Sequence, residues 1–167
     1  MALEPTTVTA GSFTVEQASS QLGLAVSSAP PWYTNQTYTI TVSYESNIGV
    51  PTYSSAGWSP TIYVQYSNGQ SQTISATGAM VEGPTGVRGS ATASWTPLWN
   101  YEASIYAAYG ALSSSTVSGQ VYAPTAFSGV SVSPTTVNPG GLVTVSALLQ
   151  YYVNGSWQPL PNATVSY

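Results

Sequence analysis

Very few side chains of this 167-residue chain could act in acid–base chemistry. The chain has one cation, Arg88, and five carboxylates, and it contains no His and no Cys. The carboxylates are Glu4, Glu16, Glu45, Glu82 and Glu102. Two carboxylates placed on either side of a sugar bond are sufficient for glycoside hydrolysis. Glu45, Glu82 and Glu102 are the candidates for such a pair, because they fall at predicted strand ends or in a Gly-rich loop.

Isolated Glu residues on β proteins are more often solvated strand ends. The residues that other catalytic, metal-binding and nucleic-acid-binding sites need are missing from the chain. A nucleophilic triad needs a base such as His or Lys. Zinc sites need His or Cys ligands, and calcium sites use clusters of Asp and Glu. A single Arg cannot displace the counterions of a nucleic acid backbone. We therefore predict no enzyme activity, no catalytic residue, no metal, no cofactor and no nucleic acid partner.

The composition points to a folded protein with a neutral surface. Charged residues make up 4% of the chain, whereas soluble domains usually carry about 25%. The chain is nevertheless 43% hydrophobic, with 13 Tyr and 5 Trp, so it can bury enough apolar surface to fold. A net charge of −4 gives little repulsion between copies, which favours association. Because few carboxylates can lose a partner on protonation, we also predict tolerance of strongly acidic surroundings.

Targeting signals are missing from the chain as written. No apolar run approaches the roughly 18 residues that a spanning helix needs, which predicts no direct membrane insertion. The first residues, Met1-Ala-Leu-Glu-Pro, lack the basic and apolar regions of a signal peptide. Two interpretations follow: the protein is kept inside a cell until it is assembled, or a leader has been removed.

Strand patterns recur along residues 1–123. Thr37–Tyr44 alternates polar and apolar residues strictly, and 61–67 is predicted to meet 70–75 in a hairpin with a type I′ turn at Asn68-Gly69. Further strands are predicted at 12–17, 22–27, 90–96, 103–109 and 115–122. Eight strands at this spacing predict an all-β protein whose first domain, 1–123, is a jelly roll or β-sandwich. Residues 100–109 also fit a short helix, and 78–89 are predicted to be a mobile loop or an ordinary hairpin connection.

A domain boundary is predicted near Ala123-Pro124-Thr125. Beyond it, Ser133–Val145 and Pro159–Val165 resemble the opening strands of immunoglobulin-like modules in archaeal and bacterial surface proteins. This resemblance implies that residues 124–167 are part of a second Ig-like β-sandwich. Such a module needs more strands than this segment supplies. The missing strands would come from continuing sequence or from another subunit that pairs with an exposed edge.

Two features of the sequence relate to carbohydrate. The sequons at Asn35, Asn154 and Asn162 are about as frequent as chance predicts, and Asn35 and Asn154 fall in predicted turns. Exposed aromatic residues could bind a host glycan, but Trp and Tyr more often fill sandwich cores and subunit interfaces. The aromatic candidates are Trp32, Tyr33, Trp58, Trp95, Trp99 and Tyr101.

The neutral composition, the Met start without a leader and the β domain followed by an Ig-like one resemble a known group of viral proteins. These are the jelly-roll vertex proteins, penton base and turret, of icosahedral archaeal viruses. The resemblance implies a structural capsid protein in the virion that packs against copies of itself and other capsid proteins. The alternatives are a subunit of an archaeal extracellular filament or S-layer joined by donor strands, and a carbohydrate-binding adhesin at the cell surface.

Overall fold

The structure, a computed structural model, describes residues 18–49 and 52–161. These residues form strands and loops, with no helix among them, so the predicted all-β class is confirmed. In chain order the strands of the described residues are β1 (Ser20–Val26), β2 (Trp32–Tyr33), β3 (Tyr38–Ser46), β4 (Ser54–Trp58), β5 (Thr61–Tyr66), β6 (Ser71–Ser75), β7 (Thr77–Gly83), β8 (Gly86–Trp95), β9 (Glu102–Tyr109), β10 (Leu112–Ser113), β11 (Val117–Tyr122), β12 (Thr125–Ser133), β13 (Thr144–Val153) and β14 (Ser156–Pro159).

The strands form three sheets. The first sheet has the order β1-β3-β8-β7-β4, and the second has the order β2-β11-β9-β5-β6 with β10 paired to β9. The third sheet contains β12, β13 and β14 in sequence order. The alternation in β3 shows why the first two sheets pack together, because Tyr38, Ile40 and Val42 are buried while the intervening Thr and Ser residues point outward. The first two sheets thus form a β-sandwich.

The strand order of the sandwich follows the immunoglobulin-type Greek key. In that fold, strands A, B, E and D form one sheet and strands C, F and G form the other. Here the order β1-β3-β8-β7 supplies the first set and β5-β9-β11 supplies the second. The short strand β2 pairs in parallel with β11, so the chain crosses from the first sheet to the second between β1 and β2. The other pairings within the sandwich are antiparallel.

Large side chains from both sheets fill the core. Trp32 and Trp95 are fully buried and meet edge to face, with ring centroids 5.1 Å apart. The branched residues Ile40, Ile62 and Ile105 are also fully buried. Burying each such side chain contributes about 1.5–3 kcal/mol. This core, rather than a disulfide, therefore holds the sandwich together.

The predicted strands of the sandwich are found wherever the structure describes the chain. Strands predicted at 22–27, 37–44, 61–67, 70–75, 90–96, 103–109 and 115–122 correspond to β1, β3, β5, β6, β8, β9 and β11. The strand predicted at 12–17 lies outside the described residues. Four further strands, β2, β4, β7 and β10, complete the sheets. The helical alternative for 100–109 is wrong, because β9 pairs with both β5 and β11 there.

Two local predictions need correction. Residues 78–89 are not a mobile loop, because they pair as β7 and β8 around a short turn at Pro84 and Thr85. The hairpin between β5 and β6 is confirmed, but its turn is not type I′. Only Gly69 has positive φ there, at 86°, whereas a type I′ turn needs positive φ at both central residues. The type I′ geometry occurs instead between β13 and β14, where Asn154 and Gly155 have φ of 49° and 74°.

The third sheet begins directly after the sandwich. The chain leaves the second sheet at Tyr122 and enters the third at Thr125. In the described part of the chain two bonds tie the third sheet to the sandwich: the backbone N–H of Asn154 donates to the carbonyl of Leu98 at 2.7 Å, and the hydroxyl of Thr34 donates to the carbonyl of Tyr152. The division into domains 1–123 and 124–167 stays a prediction.

Candidate functional site: an uncovered sheet face and two pockets

One face of the third sheet is apolar. Phe127 is paired with Leu149, and Val132 is paired with Val145, so these four side chains lie on the same face. Leu160 joins them, because its N–H donates to the carbonyl of Leu149 at 2.9 Å. We call these five residues the apolar face. Phe127 is 53% exposed, Val132 47%, Val145 67% and Leu160 37%, so the face is largely uncovered.

The opposite face of the same sheet carries more polar residues, together with Leu148, which is 45% exposed. Its strand residues include Ser131, Ser133, Thr144, Ser146 and Gln150. Its largest apolar contact is the edge-to-face pair of Tyr152 and Trp157, with centroids 5.4 Å apart. A sheet that is apolar on one side normally packs that side on another layer. Among residues 18–49 and 52–161 no second layer covers it.

The outer face of the first sheet is almost free of charge. Its side chains are small and neutral, and most of them are exposed. They include Ala25, Thr39, Thr41, Ser43, Ser55, Gly57, Thr77, Ala79, Ser90, Thr92 and Ser94. The exception is the exposed pair of Glu45 and Arg88, whose closest nitrogen and oxygen are 3.8 Å apart. Such exposed pairs contribute little stability.

A pocket of about 580 Å³ at one end of the first sheet brings together Glu45, Glu82 and Arg88. Glu45 is paired with Arg88 on the outer face. In β7, Val81 is the residue paired with Arg88, so its neighbour Glu82 lies on the opposite face. The carboxylate of Glu82 accepts a hydrogen bond from Ser54 at 3.1 Å, and that of Glu45 accepts one from Gln21 at 3.3 Å.

Of the three sequence candidates for a carboxylate pair, Glu102 stands apart. It lies in β9 of the second sheet and does not line the pocket that contains Glu45 and Glu82. Within the part of the chain that the structure describes, no three side chains of the metal-ligating types come together. We assign no reaction to this pocket.

The aromatic candidates for a glycan-binding face divide into two groups. Trp32, Trp58 and Trp95 are 0–3% exposed and belong to the core, so the prediction that they bind a glycan is wrong. Large rings fill the gap between two sheets, which is the usual place for them in a sandwich. Tyr33 is exposed at one edge of the second sheet, where its ring lies 6.2 Å from that of Tyr122.

The remaining two candidates, Trp99 and Tyr101, line a second pocket of about 360 Å³. This neutral pocket lies between the sandwich and the third sheet. It is lined by Asn68, Trp99, Asn100, Tyr101, Tyr151, Val153, Asn154 and Gln158. None of these eight residues is charged, and most are aromatic or carry a side-chain amide. Tyr151 and Gln158 were not sequence candidates, because their position depends on how the third sheet sits on the sandwich.

A buried hydrogen-bond network supports the loop that carries Trp99 and Tyr101. The hydroxyl of Tyr66 donates to Oε1 of Gln72, and Nε1 of Trp95 donates to the same oxygen at 3.2 Å. The N–H of Leu98 donates to the Tyr66 hydroxyl at 3.3 Å. Burial raises the pKa of Tyr66, and the bonds from Trp95 and Leu98 offset part of that rise. The network therefore fixes one wall of the neutral pocket from beneath.

The sequons lie in different settings. Asn35 and Asn154 are exposed in turns, as predicted, and Asn154 also lines the neutral pocket. Asn162 lies outside the described residues. Whether a glycan is attached to any of them stays a prediction.

No protein-family model, no curated protein and no solved structure matches this chain. In residues 18–49 and 52–161 there is no helix long and apolar enough to cross a membrane. The resemblance to viral vertex proteins stays a prediction that these comparisons neither support nor oppose.

Proposed function

We propose that this protein is a structural assembly protein that works by packing against neighbouring subunits, as a penton-base or turret component of a viral capsid vertex. The observation that supports the assembly role is the apolar face, four of whose five side chains are 37–67% exposed. Contiguous exposed apolar surface of this kind is typical of protein interaction sites. The viral setting is supported by the resemblance in composition and domain layout alone.

A second copy of the same sheet is the occupant that we propose for the apolar face. The face carries no charged side chain, so two copies can meet without burying an unpaired charge. Two sheets packed face to face form the ordinary two-layer β-sandwich, with about 10 Å between the layers.

A filament or S-layer subunit is the second candidate function, and the edges of the third sheet favour it. In the described residues, β12 and β14 each pair with β13 only, so each has one unpaired edge. An extended segment from another subunit could add to either edge through backbone hydrogen bonds. Mass spectrometry of the native protein separates the two settings. A processed N-terminus would favour export to a filament, and an intact or Met-trimmed one would favour the virion.

Electron microscopy of the purified, concentrated protein tests the assembly role. We expect discrete oligomers with rotational symmetry, because a closed vertex requires a fixed number of copies. Linear polymers would favour the filament instead. A protein that remains monomeric at every concentration would contradict both forms of the proposal.

A further inference from the structure

The neutral pocket offers unused hydrogen-bonding groups. The hydroxyls of Tyr101 and Tyr151 and the side-chain amide of Asn100 have no hydrogen-bond partner among the described residues. Asn68 accepts a bond from the N–H of Gln70 at 3.1 Å, which leaves its NH₂ group free. Gln158 donates to Ser156 at 2.8 Å, which leaves its oxygen free. The pocket therefore presents both donors and acceptors, none of them ionised.

The same pocket offers aromatic surface that is not used for ring packing. Trp99 meets Tyr66 below it in an edge-to-face contact, with centroids 5.1 Å apart. In the described part of the chain, Trp99, Tyr101 and Tyr151 make no ring contact with one another. Tyr101 is 44% exposed. Ring surface is thus available to an apolar part of a ligand.

The combination of groups selects a class of ligand. A sugar ring presents vicinal hydroxyls, which amides and phenols can bind, and a C–H face, which packs on an aromatic ring. A pocket without any charged residue has no group that would select an ionic ligand. Its volume of about 360 Å³ is near the lower end of the usual range for small-molecule sites, about 300–1,000 Å³. We propose that the neutral pocket binds an uncharged saccharide.

The pocket is held in shape from both sides. The Leu98 carbonyl accepts the bond from the Asn154 N–H at 2.7 Å, and Tyr152 donates its N–H to the carbonyl of Pro124 at 3.0 Å. The first contact joins the loop of the sandwich to the turn of the third sheet, and the second extends the pairing of β13 with β12. Because a preformed site loses less entropy on binding, a short oligosaccharide can bind measurably with few contacts. This inference does not depend on the assembly role.

Calorimetric titration with a panel of neutral trisaccharides, namely maltotriose, mannotriose and chitotriose, tests the proposal. We expect at least one to bind, and we expect sialyllactose, which carries a carboxylate, to bind no better. Tyr101→Ala should weaken binding at least about tenfold, equivalent to about 1.4 kcal/mol. Asn100→Ala should weaken it less, since the rings remain.

Tyr122→Ala is the matched control, because Tyr122 is 51% exposed but does not line the pocket. It should leave affinity unchanged. Failure of the whole panel to bind would overturn the proposal. Binding that Tyr101→Ala leaves intact would also overturn it. Equal weakening by Tyr101→Ala and by the control Tyr122→Ala would overturn it as well. Circular dichroism shows whether each variant is folded. If Tyr101→Ala is not folded, Tyr101→Phe replaces it, because this variant keeps the ring and removes only the hydroxyl, and it should still weaken binding.

Discussion

The backbone N–H of Asn154 donates to the carbonyl of Leu98 at 2.7 Å, and this bond joins the third sheet to the sandwich. Leu98 lies in the loop between β8 and β9, and Asn154 lies in the turn between β13 and β14. The same loop is fixed from beneath, because the Leu98 N–H donates to the hydroxyl of Tyr66. The loop of the neutral pocket is therefore held both by the sandwich beneath it and by the third sheet beside it.

A pair of glycine substitutions tests the packing of the first sheet. Gly78 in β7 faces the backbone of β8 so closely that an added Cβ would overlap the carbonyl oxygen of Ser90. We expect Gly78→Ala to lower the free energy of unfolding by about 1–3 kcal/mol, because the strands must move apart. A Cβ added at Gly57 in β4 would have nothing within 4 Å. Gly57→Ala should therefore change the free energy of unfolding by less than about 1 kcal/mol. Urea denaturation of both variants measures the difference, and equal effects would contradict the described pairing.

Acid should have little effect on the sandwich. The ion pair in the described residues, between Glu45 and Arg88, is exposed on both sides. Glu102 is also exposed, and Glu82 is half-buried with Ser54 as its partner. Losing the exposed pair of Glu45 and Arg88 in acid should therefore cost little stability. Circular dichroism and urea midpoints at pH 7 and pH 2 test this expectation. Loss of the β-sheet signal at pH 2 would contradict it.

Alkali should destabilise the protein through Tyr66. Burial raises the pKa of its hydroxyl in the folded protein above the ordinary value of 10.0. Below pH 10 both states hold the proton and the contribution to stability is complete. As pH rises above 10, the unfolded state releases the proton first, so stability falls until the pH passes the folded pKa. Urea midpoints between pH 8 and pH 11.5 measure this loss.

Tyr66→Phe should remove that part of the alkaline loss. At neutral pH it should cost about 1–3 kcal/mol, because Oε1 of Gln72 loses one of its two donors and the N–H of Leu98 loses its acceptor. The gap between wild type and variant should then narrow above pH 10. Tyr122→Phe, at an exposed position, is the control and should follow the wild-type curve. Parallel curves for Tyr66→Phe and wild type would show that Tyr66 is not responsible.

The sequence predicts the long strands well because their side chains alternate. Residues 38–46 form β3 and bury every second residue up to Val42, as the pattern of Tyr, Ile and Val indicates. Strands β4 and β7 are rich in Gly, Ser and Ala and have little strand propensity of their own. They become strands by pairing with each other and with β8. This pairing is long-range information that a local pattern does not contain.

The candidate surfaces are harder to predict because they depend on which elements meet. Trp95 and Trp99 are four residues apart, yet the first is fully buried and the second lines the neutral pocket. The difference arises because Trp95 ends β8 within the sandwich, whereas Trp99 lies in the loop that follows β8 and lines the pocket beside the third sheet. Tyr151 reaches the same pocket from a separate sheet. The apolar alternation of Val145 and Leu149 could be read from the sequence, but the exposure of that face could not.

Sedimentation equilibrium of two neighbouring substitutions tests the assembly role most directly. Val145 lies on the apolar face, and Ser146 lies on the opposite face and is also exposed. We predict that the wild-type protein self-associates, that Val145→Glu weakens this association at least about tenfold, or about 1.4 kcal/mol, and that Ser146→Glu leaves it unchanged. A wild-type protein that stays monomeric, or equal weakening by both substitutions, would contradict the proposal that the apolar face joins the subunits.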